Sequence, residues 1–331
     1  MHSEALAWLA EHPAPAQASV ITSLPDQSEL PSVGFEAWRA WFVNAARALL
    51  RWIPKDGTAI FYQRDVRHDE AWVDKAQLVH EAAAAEAWGL VWHKIVCRRA
   101  PDTAGRDARP GFSHLLCFQR SPRAPRHPLP DVLTDAGPGS WSRAMGSAAC
   151  VLACDHLRYE TTTCCVVDPF CGRGSVLAVA AAVGFDVIGV ESNARRCRAA
   201  RSLLARTRLL QDAIERGAEL FDRGEFFAAH EVWEDRWRVS RDEDERRGLQ
   251  GLIQVAAAFH KLFEMRDPES ARRLLDKSLV KLDATHWLPG VELAVFRRAL
   301  RATVMTPETP RDAAPRLSAP SSPAHPASRS A

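Results

Sequence analysis

Up to about residue 120, short apolar runs alternate with longer stretches of helical period. The runs "ASVITSL", "GTAIFYQ", "GLVWHKIVC" and "FSHLLCF" predict strands. Between the first two, "FEAWRAWFVNAARALLRWI" puts Phe35, Trp38, Phe42, Ala45 and Leu49 on one stripe, which predicts a helix packed on a sheet. "WVDKAQLVHEAAAAEAW" predicts a second helix, turning at Gly89 into the third strand. Strands and helices in alternation imply an α/β sheet in preference to a bundle.

Residues 121–140, "SPRAPRHPLPDVLTDAGPGS", hold no period and predict a connecting loop. The alternation then restarts. "SWSRAMGSAACVLACDHL" reads as helix, "CCVVD" as a short buried strand, "SVLAVAAAVG" as helix, "DVIGVE" as strand and "ARRCRAARSLLARTRLL" as helix. After about Gln211 every periodic stretch favours helix, with breaks at Gly224, Asp267/Pro268 and Pro289/Gly290. The expected organisation is an α/β domain over 1–210, an all-α domain over 211–303, and a disordered tail over 304–331 that is too rich in Pro, Ala and Ser to build a core.

Composition narrows the picture in three ways. No apolar stretch approaches the roughly 20 residues that span a bilayer, and the opening "MHSEALAWLAEHPAPA" lacks a basic region followed by an apolar segment, so neither membrane nor signal peptide is expected. The eight cysteines are scattered through apolar runs, which fits buried thiols in a reducing, cytoplasmic setting; Cys150, Cys154, His156, Cys164 and Cys165 lack the paired spacing of structural zinc. A net charge of +2 gives no general affinity for polyanions, although six arginines between Arg195 and Arg208 and seven from Arg98 to Arg126 form local patches suited to phosphate.

The chemistry concentrates at "VVDPFCGRGSV", Val166 to Val176. A strand ending in Asp168, a turn with Gly172 and Gly174, a helix, and a second strand ending in Glu191 make one βαβ unit. The glycines let backbone approach a ligand, the helix amino end offers N–H groups, and Glu191 is placed to accept from two ribose hydroxyls. Leu177 stands where the dinucleotide fingerprint would have Gly or Ala, which turns the expectation from NAD or FAD toward a nucleoside cofactor without a pyrophosphate.

"DPFCGRGSVLAVAAAVGFDVIGVESNARRCRAARSLL" resembles the S-adenosylmethionine site of class I methyltransferases, in particular the DNA amino-methyltransferases with Asp-Pro-Phe-x-Gly-x-Gly-Thr. The resemblance covers roughly residues 18–208. It implies a Rossmann-like sheet in permuted order, with the catalytic half first, and so accounts for a glycine turn halfway along the chain. It also implies that Asp168, Pro169, Phe170, Gly172 and Gly174 line the methionine and adenosine of S-adenosylmethionine, that Glu191 holds the ribose, and that Ser140 to Met145 contribute the preceding segment.

The same resemblance places a catalytic loop after the first strand, where "VITSLPDQSE" stands. Ser23 and Pro25 match the family pattern, Leu24 replaces its first proline and Asp26 replaces its aromatic. Ser23, Pro25 and Asp26 are therefore the candidate catalytic residues: Ser23 to accept a hydrogen bond from a target amine, Asp26 to act as base or orient it. Phe61 and Tyr62 are the candidates for the missing stacking platform. A nucleic acid amine is the expected acceptor, and no metal is expected in the transfer itself; the alternative is a non-catalytic cofactor-binding scaffold.

"GAELFDRGEFFAAHEVWEDRWR" with "LQGLIQVAAAFHKL" resembles domain of unknown function 309, over roughly 212–285. The resemblance implies a fold without an activity, and a partner-binding module is one role for it. Phe226, His230, Trp233 and Trp237 share a helical stripe with Glu234 one turn beyond His230, while His260 lies on the next helix near Gln250 and Gln254. His230, Glu234 and His260 are a candidate metal or acid–base cluster; a core histidine satisfied by a carboxylate is the alternative. The order is not HExxH, which speaks against a zinc protease.

Overall fold

A computed structural model describes residues 1–100, 103, 110–139 and 144–317. The chain forms two compact units, residues 1–205 and 206–331. The first contains, in order, α1 (Ala5–Glu11), β1 (Ala18–Thr22), α2 (Phe35–Trp52), β2 (Ala59–Gln63), β3 (Val66–His68), β4 (Ala71–Val73), α3 (Lys75–Ala85), β5 (Gly89–Cys97), β6 (Phe112–Gln119), β7 (Val132–Leu133), α4 (Ser147–Glu160), β8 (Cys165–Asp168), α5 (Ser175–Ala182) and β9 (Asp186–Gly189). The long α6 (Ala194–Asp222) follows.

Seven strands make one sheet in the order β7-β5-β6-β2-β1-β8-β9. β2, β1, β8 and β9 run parallel, and β6 enters antiparallel between β2 and β5. β1, β2 and β8 are buried along their whole length, as their unbroken apolar runs require of strands covered on both faces. α2 packs Trp38, Phe42, Ala45 and Leu49 into the core with Phe61, Leu116 and Phe118 of the sheet. The strand order explains the late glycine turn. The chain first builds the sheet from β1 outward to β7, then returns to add β8 and β9 on the other side of β1. The carboxyl ends of β1, β8 and β9 therefore meet at one edge, where ligands of open α/β sheets bind.

The second unit holds α7 (Phe226–Val239), α8 (Glu243–Phe263), α9 (Pro268–Asp283) and α10 (Leu293–Ala302), with the carboxyl half of α6. Its core gathers Phe221, Phe226, Trp233, Phe259 and Leu282. The starts follow their sequence signals: the Asp242 carboxylate accepts from Glu245 N–H to cap α8, and Asp267 caps α9 with Pro268 at its first position.

Several expectations differ from this structure: the stretch read as a loop over 121–140 carries the short strand β7 paired with β5, Trp72 and Val73 lie in β4 and not in the following helix, and three further differences concern helices and tail. α6 runs through Gln211 as one helix, because the residues around it carry no breaker. The helix expected from Ser140 begins only at Ser147, Ala144 to Gly146 being non-helical; Ser140 to Arg143 lie outside the described residues. The tail expected to be disordered from 304 is docked as far as Leu317: Met305 and Leu317 are buried in the helical core, and Leu317 N–H donates to Asp222 Oδ1 at 2.8 Å. Two isolated apolar anchors suffice for this and leave no periodic trace. Residues 318–331 lie outside the described residues.

Candidate functional site

Gly172 and Gly174 take positive φ, 54° and 82°, in the turn between β8 and α5. A Cβ on Gly174 would stand 2.9 Å from Cβ of Ala200 on α6, so both conformation and space require glycine there. Gly174 is also the amino cap of α5 and supplies no capping side chain, which leaves the helix start facing the turn.

This turn forms one wall of a cavity of about 220 Å³. Asp168 lines it from the end of β8, Pro169, Phe170 and Gly172 from the β8–α5 connection, Glu191 from just past β9, and Ser23 and Pro25 from the loop after β1. Seven of the nine residues singled out in the α/β region thus surround one space, and Gly174 shapes it from behind. The two halves are joined directly, since Thr22 Oγ1–H donates to Asp168 Oδ1 at 2.7 Å.

Asp168 is almost fully buried. Burial pushes its carboxyl up to about 7; hydrogen bonds from Thr22 and from Phe170 N–H act the other way, and the nearby Glu191 adds to the rise. Glu191 is buried too, and its Oε1 accepts from Asn193 N–H at 2.7 Å, which fixes the carboxylate at the cavity.

The structure places Asp26 elsewhere. In the extended "SLPD" stretch, Ser23 and Pro25 face the cavity while Leu24 and Asp26 turn inward. Leu24 fills the core, and Asp26 pairs with the ammonium of Lys75, itself buried. The departure from the family pattern follows from this alternation, because both substituted positions point away from the ligand space. Phe61 and Tyr62 are likewise unable to offer a platform: Phe61 is buried edge-on to Phe118, and the Tyr62 hydroxyl accepts from Arg98.

An aromatic does reach the cavity from α2. Trp41 lines it, standing edge-on to Phe170 with ring centres 6.0 Å apart. Its sequence signal was a tryptophan three residues after Trp38, off the buried stripe. Glu29 and Arg196 also line the cavity and form an ion pair of 3.2 Å, although 167 positions separate them in sequence and nothing local connects them. Glu4 and Ala5 also line it, brought in by Ser3 N–H, which donates to Glu191 O, and by the bridge between His2 and Glu191, and Ala144 and Met145 line it from the segment before α4.

In the helical unit, His230 Nδ1 lies 3.1 Å from Glu231 Oε1 and 3.9 Å from Glu234 Oε2, and Glu234 also pairs with Arg238. His260 is not in that cluster among the described residues, and the Phe227 ring lies against both histidines. Trp233 is fully buried. Among the described residues, no helix is long and apolar enough to cross a membrane.

The fold of the α/β unit is similar to that of solved DNA methyltransferases. A candidate DNA modification methylase from Thermus thermophilus, complexed with S-adenosyl-L-methionine, is similar in structure with a TM-score of 0.50 and 19% identity, over 62% of this chain and 92% of that one. The cytosine-N4-specific PvuII DNA methyltransferase is similar with a TM-score of 0.50 and 14% identity, over 61% and 84%. Residues 214–274 match the family described as Domain of unknown function (DUF309). An uncharacterized protein of Aquifex aeolicus (strain VF5) is 28% identical over 103 residues, 29% of this chain; the chain spans about a third of the length of that curated relative, 31%.

Proposed function

We propose that the chain binds S-adenosylmethionine in this cavity and transfers its methyl group to an amine of a nucleic acid. The observation that carries the proposal is the meeting of a glycine turn, two buried carboxylates and Ser23 around one space at the carboxyl edge of a parallel sheet. The residues fit the cofactor: the positive-φ glycines leave room for close backbone approach, Glu191 is held for ribose hydroxyls, and Asp168 suits a positively charged ligand. When bound, S-adenosylmethionine supplies a methyl group already activated by its sulfonium.

The chain's own part is alignment. Ser23 offers an oxygen to an acceptor N–H, and Pro25 holds the loop rigid, its carbonyl accepting from Trp38 Nε1 at 3.2 Å. Burial lets Asp168 keep its proton up to about neutral pH when no cation is near; a cationic ligand favours the carboxylate. Trp41 and Phe170 give an aromatic wall for a planar acceptor or for adenine. Beside the cavity, Arg173, Arg195 and Arg196 with Asn193 line an open cleft suited to a phosphate backbone, and both structural relatives named above are DNA-modifying by name.

One observation favours the second reading, a cofactor-binding scaffold without catalysis and with the helical unit as a partner-binding module: Asp26 is engaged with Lys75 and gives the site no base. An amine acceptor oriented through its lone pair needs none before transfer. Incubation with methyl-labelled cofactor and, separately, duplex DNA, single-stranded DNA and structured RNA tests the choice. Label should enter a nucleic acid and fall at least tenfold in Ser23→Ala with cofactor affinity kept, as expected when one orienting bond is lost. Cofactor binding without label in any acceptor would favour the scaffold.

A further inference from the structure

The geometry points to a divalent transition-metal site in the α/β unit, away from the methyltransferase cavity, formed by Asp65, Asp74 and His114. Asp65 follows β2, Asp74 precedes α3 and His114 lies on β6, so the two ends of one hairpin meet a strand 49 positions beyond Asp65. One ligand atom from each lies within 4.8 Å of the others. Asp65 and His114 are buried, and Asp65 Oδ2 is 3.1 Å from His114 Nε2. Ligands about 2.0–2.1 Å from a tetrahedral ion stand about 3.3 Å apart, so this pair is already at the required separation. The exposed Asp74 completes the set: its Oδ1 caps α3 by accepting from Gln77 N–H, which leaves the second oxygen for the ion.

The surroundings are those of a metal site and not of an isolated pair. Asp65 Oδ1 is oriented by Lys75 N–H at 2.9 Å and Oδ2 by Trp72 Nε1–H at 3.1 Å. His114 Nδ1 lies 3.0 Å from His93 Nε2. With an ion on Nε2, the Nδ1 proton is donated to His93, the outer hydrogen bond that metal-bound imidazoles regularly make. Two carboxylates and a neutral imidazole balance a 2+ ion, and the mixed oxygen and nitrogen set suits Zn²⁺, Co²⁺ or Mn²⁺ better than Ca²⁺. The other cluster of this kind among the described residues, His230, Glu231 and Glu234, lies on one helix with Glu234 already paired to Arg238.

The ion's work here is mechanical. Asp65 and Asp74 flank the hairpin β3–β4, whose strands are three residues each. So short a hairpin is marginal alone, and its turn residues Asp69 and Glu70 both sit at positive φ, 46° and 63°, a conformation costly outside glycine. Bridging Asp65 to Asp74 closes the base of the hairpin and ties it to β6. The same Lys75 that holds Asp65 through its N–H holds Asp26 through its ammonium, so the site stiffens the loop that presents Ser23.

Calorimetric and absorption titration of Co²⁺ into the chelator-treated full chain tests the site. One ion per chain should bind, without the near-ultraviolet band of a thiolate ligand. Asp74→Asn, which keeps the helix cap, should weaken it by about tenfold or more, and His114→Gln by about a hundredfold, whereas His230→Gln should leave it unchanged. Absence of stoichiometric binding, a thiolate band, or equal affinity in wild type and Asp74→Asn would overturn the assignment; Asp74 is exposed, so that variant folds and keeps the test decisive.

Discussion

Asp168 shows how a single residue reports on the site. Its carboxyl is held up to about 7, so in the folded chain it keeps its proton across a range in which the unfolded chain has lost it. Unfolding then becomes easier as pH rises from about 4 to 7, by on the order of 4 kcal/mol, and changes no further above that from this group. Burial lowers His156 to about 4 and so contributes a rise in stability with pH that both proteins share; urea unfolding should therefore show wild type losing stability relative to Asp168→Asn across that range. An equal slope in both would mean that Asp168 ionises freely in the fold. The residue was legible in sequence as the acid ending the strand before a glycine turn, but its neutrality was not, since that depends on burial and on Thr22 from a strand 146 positions away.

Elements explain where sequence reading succeeded and where it stopped. The βαβ unit from Asp168 to Glu191 was readable because strand, turn and acid are contiguous. The loop after β1 was not, because "SLPD" gives three polar or turn-forming candidates and only packing decides that alternate positions face the cavity. Hairpin β3–β4 leaves no signal at all: "VRHDEAWV" has neither glycine at its turn nor strands long enough to show alternation. Burial of Asp26 against Lys75 makes this pair a link between the loop and α3, with a predictable energetic sign. Asp26→Ala should cost about 3–5 kcal/mol by stranding a buried ammonium, and Asp26→Leu with Lys75→Met should recover most of it. Denaturant midpoints decide this; a single variant as stable as wild type would show that the pair is not sealed from water.

At the scale of the whole molecule, the chain builds a sheet outward from β1 and returns to complete it at β8 and β9, and the candidate site forms where the two passes meet. That meeting is the physical reason why residues near 23 and near 170 share one cavity. Its most direct test is calorimetric titration of S-adenosylmethionine into the intact chain and into Gly172→Asp, which adds bulk and negative charge to a turn at positive φ. One site of micromolar affinity is expected in wild type and none in the variant. Absence of binding to wild type, or equal binding to both, would contradict the assignment of this cavity to the cofactor.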